Sequence, residues 1–369
     1  MKLSVIIVNY KVCYFVEQCV VSVQKATRDI DCEIFVVDNH SSDGSVDYLK
    51  KRFGSEINLI ECNHNGGFAK ANNIAIRQST GEYVLLLNPD TFVGEDSLKQ
   101  VLTFMDEHPK AGGVGVKMYN ADGTVARESR RGLPTPYVSF LKMLGFTKRY
   151  YMSHLSWDEP GKIDVISGAC FMLRREALNK IGLLDEDFFM YGEDIDLSYR
   201  LQKGGYENWY VPARIVHYKG ESTQKTSSRY VHVFYQAMLI FFRKHYGHLS
   251  FLVTLPIKFA IYFRAFIALV MMFYWRMQKY LGFYHRIEDP IFVFNGKQDM
   301  RNACKEIFKR KGLTYEEVSS GKRNICIVYD TDNISYEDII NFSITNAGCV
   351  LGTYNSKSCL IITPKEVIK

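Results

Sequence analysis

The first ninety residues alternate two kinds of apolar pattern. Leu3 to Val8, Cys32 to Val37, Ile57 to Cys62 and Tyr83 to Leu87 are short apolar runs of strand length. Runs of this kind fit strands buried on both faces. Between them, Val12 to Lys25, Ser45 to Phe53 and Phe68 to Gln78 carry apolar residues at helical spacing. The second of these follows a Ser41-Ser42-Asp43-Gly44 turn, the third is entered through Gly66-Gly67, and Asn88-Pro89-Asp90 stops the fourth strand. Such alternation predicts a parallel sheet covered by helices on both faces.

Beyond residue 110 the pattern loosens. Gly113 to Tyr119, Thr124 to Arg127 and Asp164 to Leu173 read as strands around a loop-rich stretch at 128–162. Phe188 to Lys203 reads as a helix ended by Gly204-Gly205, Trp209 to Pro212 and Arg214 to Tyr218 as two short strands, and Arg229 to Tyr246 as an aromatic-rich helix. Phe251 to Phe283 is the most apolar stretch, yet its longest uncharged run, Ala265 to Trp275, is 11 residues, short of a bilayer span. With Pro256 opening a helix there, Lys258, Arg264, Arg276 and Lys279 fall on one side. An apolar helix with one basic stripe suits the interface plane of a membrane, although a packed interior helix or a tilted span fits the same residues. From Pro290 onward, four strand-like runs (Ile291 to Phe294, Ile325 to Tyr329, Cys349 to Thr353, Ser358 to Thr363) and two helical ones (Met300 to Lys311, Tyr336 to Thr345) predict a small separate α/β domain. The expected organisation is a catalytic domain over 1–247, basic apolar membrane-contact helices over 248–287, and the small domain over 288–369.

Charge sharpens this picture. The chain carries +6 overall, yet Ser222 to Ile287 holds nine Lys and Arg and no Asp or Glu, which leaves the rest at −3. A local basic, acid-free segment calls for an anionic partner, with anionic lipid and nucleic acid as the two candidates; an anionic membrane surface is the expected partner and nucleic acid is not. Composition is otherwise that of a folded globular protein, 47% hydrophobic and 23% charged, with aromatics raised to 14%. Nine single cysteines without a CxxC pair argue against zinc and against a disulfide framework, and fit reduced cytosolic thiols. The N-terminal apolar run is broken by Asn9 and Tyr10, unlike a signal peptide.

Candidate chemistry lies at the strand ends. Ligands of open parallel sheets bind beyond the carboxyl ends of strands, which places Asp38 to accept hydrogen bonds from a ribose or base; capping the next turn is its plainer role. Asp90, held by a proline-stiffened turn, suits a phosphate-bridging metal, although Asn-Pro-Asp is also ordinary loop chemistry. No GxGxxG follows the first strand, so a dinucleotide fingerprint is absent. Asp185-Glu186-Asp187 and Glu193-Asp194-Ile195-Asp196 set six acids around an apolar Phe188-Phe189-Met190-Tyr191. Acids held against an apolar wall are costly unless used or paired. Asp196 and Arg200 form an i,i+4 pair, and acids near a positive helix end are the simplest reading of Glu193 and Asp194. His217, alone, is most simply structural.

Taken together, Val5-Ile6-Ile7-Val8-Asn9-Tyr10, Val36-Val37-Asp38-Asn39, Ser42-Asp43-Gly44-Ser45, Asn65-Gly66-Gly67-Phe68 with Asn72-Asn73, Leu87-Asn88-Pro89-Asp90, Gly168-Ala169-Cys170-Phe171-Met172, Phe189 to Leu197 and His217 resemble a family 2 glycosyltransferase of the GT-A fold over roughly residues 1–245. The Tyr191 to Leu197 block is similar to that of bacterial rhamnosyltransferases of surface-polysaccharide synthesis. The resemblance implies an α/β, Rossmann-like mixed sheet and an inverting transfer of rhamnose or another hexose. The donor would be a nucleotide-diphosphate sugar, and the acceptor a saccharide or lipid-linked saccharide. It implies donor contacts from Asn9, Asp38, Asp43, Asn65, Gly67, Asn72 and Asn88. Mg2+ or Mn2+ would sit on Asp90 and His217, with Asn88 replacing the first acid of the DxD motif. Asp194 would be the catalytic base, with Glu193 beside it. A cytoplasmic enzyme peripheral to the inner face of the plasma membrane is the expected setting. A nucleotidyltransferase would share the metal chemistry but wants a Gly-rich basic loop early in the chain; a non-catalytic glycan-binding relative would not need Asp90, Asp194 and His217 together.

Overall fold

The computed structural model describes residues 1–219, 228–247, 251–281, 290–317 and 324–369. The ends of the expected membrane-contact segment, 248–250 and 282–287, lie outside the described residues. In chain order the first domain contains β1 (Leu3–Asn9), α1 (Cys13–Ala26), β2 (Cys32–Asp38), α2 (Ser45–Phe53), β3 (Asn58–Glu61), α3 (Phe68–Gln78), β4 (Tyr83–Leu87), β5 (Thr91–Val93), α4 (Ser97–Glu107) and β6 (Ala111–Tyr119). There follow α5 (Pro136–Met143), β7 (Gly161–Lys162), β8 (Cys170–Arg174), α6 (Arg175–Ile181), α7 (Glu193–Lys203), β9 (Glu207–His217), α8 (Ser228–Tyr246) and α9 (Phe251–Tyr280). The C-terminal part contains β10 (Ile291–Asn295), α10 (Gln298–Arg310), β11 (Tyr315–Glu316), β12 (Ile325–Asp330), α11 (Tyr336–Thr345), β13 (Val350–Asn355), β14 (Leu360–Ile362) and β15 (Val367–Ile368).

The first sheet runs β3-β2-β1-β4-β8-β6-β9-β5, with β7 on β9. β3, β2, β1 and β4 are mutually parallel, β8 is antiparallel to β4 and β6, and β9 is parallel to β6. Side chains alternate across the pleat. Leu3, Val5 and Ile7 therefore face one core with α1, α2 and α4, while Ile6 and Val8 face a second with α3, α6 and α7. This is the Rossmann-like mixed sheet, helices on both faces, that the GT-A resemblance implies. Parallel pairing aligns Asn9 with Asp38 at the carboxyl edge and leads β4 out beside them into Asn88.

Five details differ from the sequence reading. The helix expected from Phe188 begins at Glu193, because Tyr191 and Gly192 take positive φ angles of 68° and 83° and break the helical path. The strand expected from Asp164 begins at Cys170. Trp209 to Tyr218 contains one strand rather than two, since a register shift opposite Val116 and Lys117 carries the chain past Pro212 without ending the ladder. Thr124 to Arg127 is a bridge at Val125 followed by a short helical turn rather than a strand, and α9 starts at Phe251, upstream of Pro256.

The C-terminal sheet, β11-β10-β12-β13-β14-β15, is the expected small α/β unit, with a core of its own around Phe292, Phe294, Cys304, Phe308 and Val328, and it also packs on the first domain. Tyr329, Tyr336, Ile339, Ile340, Leu351 and Ile362 join the first domain's core, and Phe92 packs on Tyr336 with ring centroids 5.1 Å apart. Glu95 accepts the Tyr336 and Glu337 amides, at 2.9 and 2.7 Å, at the start of α11. Arg214 bonds Asn341 and Glu337, and Gln18 donates to Thr353 at 2.8 Å.

Candidate active site

The carboxyl edge is tied together by side-chain amides. Asn9 Nδ2 donates to Asp38 Oδ1 at 2.7 Å and the Ser41 amide to Asp38 Oδ2 at 2.8 Å, so the buried Asp38 fixes the β1 and β2 ends. Asn39 Nδ2 donates to Asn65 Oδ1 at 2.9 Å, and Asn65 Oδ1 also accepts the Gly67 amide at 3.1 Å. Asp43 accepts from the Ser45 amide and hydroxyl as α2 begins, at 3.2 and 2.6 Å. Gly67 has φ 88°, and a Cβ there would stand 2.3 Å from the Phe189 carbonyl oxygen, which accepts the Phe68 amide. Only glycine lets that loop and the turn before α7 meet so closely.

A cavity of about 890 Å³ opens over this edge. Asn65, Gly67, Asn88, Glu193, Asp194 and His217 line it, so the structure gathers expected residues from four separate segments. Asn39 and Arg131 line it as well. Asn72 stands apart: it is buried in α3, and its Nδ2 donates to the Phe68 carbonyl at 2.9 Å. Asn9, Asp38 and Asp43 are not among the described residues that line the cavity; Asn9 and Asp38 are buried and Asp43 is exposed.

Asp90 is buried immediately behind the wall, with Oδ1 3.3 Å from His217 Nε2. Antiparallel pairing of β5 with β9 sets Thr91 opposite His217, and the Tyr218 amide donates to the Asp90 carbonyl at 2.9 Å. His217 Nδ1 is buried without a hydrogen-bond partner among the described residues. A carboxylate and an imidazole converging here, one imidazole nitrogen still open, are hard and borderline donors that fit a divalent cation.

Glu193 and Asp194 open α7, where the positive helix end favours anions. Asp194 Oδ2 takes the Arg131 guanidinium at 2.5 Å and the Gly168 amide at 3.1 Å, and Oδ1 takes the Ile195 amide at 2.8 Å. A carboxylate offers about four lone-pair sites. Three are used among the described residues, which leaves one to serve a group in the cavity. Glu193 is buried, its Oε2 unpartnered among the described residues, and burial together with the neighbouring Asp194 charge pushes its carboxyl up to about 8. Both effects favour the protonated form of Glu193.

The other acids of the cluster are absorbed by pairing. Asp185 and Asp187 meet Lys244 of α8, and Glu186 accepts from Asn73 and Arg77 at 2.9 and 3.1 Å. Asp196 takes Arg200 at 2.7 Å, as its i,i+4 spacing predicts, and His245 Nε2 lies 2.7 Å from its other oxygen. Sequence reasoning missed Arg131 and the α8 partners. Arg131 sits in a loop-rich stretch with no motif, and its role depends on a contact 63 residues away.

Residues 4–182 match the model of Glycosyl transferase family 2. N-acetylglucosaminyl-diphospho-decaprenol L-rhamnosyltransferase of Mycobacterium tuberculosis is 29% identical over 260 residues, covering 65% of this chain and 83% of that protein. Among solved structures, S. aureus TarS aligns with a TM-score of 0.46 at 20% identity, over 68% of this chain and 41% of that one. A mannosyltransferase from Pyrobaculum calidifontis in complex with GDP-Man and Mn2+ aligns with a TM-score of 0.47 at 18% identity, over 73% and 72%.

Proposed function

We propose, from the premise that this chain carries a family 2 glycosyltransferase domain, that it moves rhamnose or another hexose from a nucleotide-diphosphate donor onto a lipid-linked saccharide in cell-surface polysaccharide synthesis. The observation that carries this reading is Asp194. Its carboxylate is aimed by Arg131 and the Gly168 amide into the same cavity that Asn65, Asn88 and His217 line.

The nucleotide lies along the carboxyl edge. Asn65, Gly67 and Asn88 face it, while Asn9, Asp38 and Asp43 hold the strand ends and the start of α2 beneath it, and Asn72 stiffens the α3 lead-in. Asp90 and His217 would hold Mg2+ or Mn2+, which when bound offsets charge developing on the leaving diphosphate. Asp194 takes the proton of the acceptor hydroxyl at its remaining lone-pair site as that oxygen attacks the anomeric carbon. Glu193, in its protonated form, adds no second negative charge beside the base. No carboxylate is assigned as nucleophile, so the transfer is a single displacement and the product is inverted at the anomeric carbon.

Among the described residues, the one helix long and apolar enough to cross a membrane by length and composition is α9, at Lys258–Gln278, of which 6% is buried. With the acid-free basic character of its segment, this supports a protein held at the cytoplasmic face of an anionic membrane.

The test is transfer and nucleoside diphosphate release across a donor panel with Mg2+ or Mn2+. Asp194→Asn is expected to lower kcat by about 10²–10⁴, the usual share of a general base, with donor binding retained. Asp90→Ala is expected to abolish the dependence on metal. Retention of the donor's anomeric configuration, or full activity of Asp194→Asn, would overturn the mechanism.

A further inference from the structure

A second acid-free basic segment lies in the chain. Ser129 to Trp157 carries five Lys and Arg and no Asp or Glu. The fold brings it to the same cavity as the first: Pro136, Ser139 and Lys142 of α5 line the cavity, as do Ala260, Ile261 and Arg264 of α9.

α5 is built as a helix but has no core to serve. Thr135 caps it by accepting the Val138 amide at 3.2 Å, with Pro136 in the first turn, yet none of its described residues is buried. A surface helix of a soluble domain turns one apolar stripe inward. Here Tyr137, Phe140, Leu144 and Phe146 are 58%, 55%, 58% and 65% exposed. Four large apolar side chains within ten residues form a patch, and patches mark contact surfaces. Basic groups surround it and lean on aromatics: Lys142 Nζ lies 3.3 Å from the centre of the Tyr150 ring, and the Arg149 guanidinium 5.5 Å from that of Tyr137. Across the mouth, α9 exposes Phe259, Phe263 and Phe266 by 68%, 50% and 63%.

We infer that α5 and the turn after it, Pro136 to Phe146, form a second membrane-inserting element facing α9 across the cavity mouth. A lipid-linked acceptor then reaches Asp194 between the two. The inference rests on the membrane-proximal reading above. The occupant of the patch is an anionic bilayer: apolar tips with flanking Lys and Arg match a headgroup layer over acyl chains. A second copy would bring the same acid-free basic surface into like-charge contact.

The full chain with Phe140→Ser and Phe146→Ser tests this; neither residue lines the cavity. The readouts are cosedimentation with phosphatidylglycerol–phosphatidylcholine vesicles, and transfer to one saccharide acceptor with and without a long lipid tail. Removing two inserting rings is expected to weaken vesicle partition roughly tenfold or more. Transfer to vesicle-borne acceptor should fall in step, while the rate on water-soluble acceptor and the Tm hold. Tyr137→Ser with Leu144→Ser is the independent second pair and is expected to act alike. Partition equal to wild type in both variants overturns the inference, and so does dissociation of a wild-type dimer with vesicle binding unchanged. A wild type that transfers sugar but never sediments with vesicles sinks the membrane reading as a whole. A wild type that sediments through this patch but transfers nothing sinks the transferase reading and leaves this one standing.

Discussion

Glu193 and Asp194 are neighbours in sequence with opposite electrostatics. Asp194 has an arginine and two amides; Glu193 is buried beside a charged neighbour, and its carboxyl rises to about 8. An acid raised above its ordinary 4.5 binds more protons folded than unfolded, so its contribution to stability falls as pH climbs from about 4.5 to about 8. Glu193→Gln removes that loss. The variant is expected to gain Tm relative to wild type at pH 8 and to show little gain at pH 5; equal shifts at both would contradict a buried neutral Glu193. The pairing of the two acids with a helix start was legible in the sequence. The difference between them was not, because it depends on Arg131 and on burial.

At the scale of elements, the site is made where loops from distant strands touch. Gly67, before α3, meets Phe189, before α7, at a distance that admits no side chain. Gly67→Ala forces both a positive φ and an overlap with the Phe189 carbonyl oxygen. It is expected to cost about 2 kcal/mol or more, seen as a lower Tm, and to raise KM for the donor by displacing Asn65. Unchanged Tm and KM would mean that the two loops adjust independently. The strands and helices of residues 3–87 could be read from pattern because each run is buried on both faces or spaced for one. The start of α7 could not, because Phe188 to Tyr191 are apolar enough to continue a helix and only the left-handed Tyr191 and Gly192 stop it.

At the scale of the molecule, the C-terminal layer braces the strands that carry Asp90 and His217. Phe92 on β5, the strand that follows Asp90, packs on Tyr336, and Arg214 on β9 is held by Glu337 and Asn341. Deleting 290–369 would uncover this apolar surface and orphan the Glu95 and Arg214 partners. The truncated chain is expected to lose its cooperative melt or to precipitate; a melt at the full-length Tm would show that the first domain needs no brace. The sequence marks the C-terminal segment as a separate α/β unit, since its pattern restarts after the basic stretch. It carries no sign of the shared core, because the residues that join the two layers look like ordinary strand and helix interiors.

The sequence by itself determined the alternating sheet and helix plan, the acids and asparagines at strand ends, and the family these resemble. Those are local properties: burial periodicity and turn chemistry act over a few residues. Tertiary structure decided which acids are paired away and which remains turned to the cavity, which arginine orients it, and that two basic, acid-free segments about a hundred residues apart flank one opening. These depend on contacts between segments whose separation in the chain carries no signal, and on desolvation, which exists only once the chain has closed around a group.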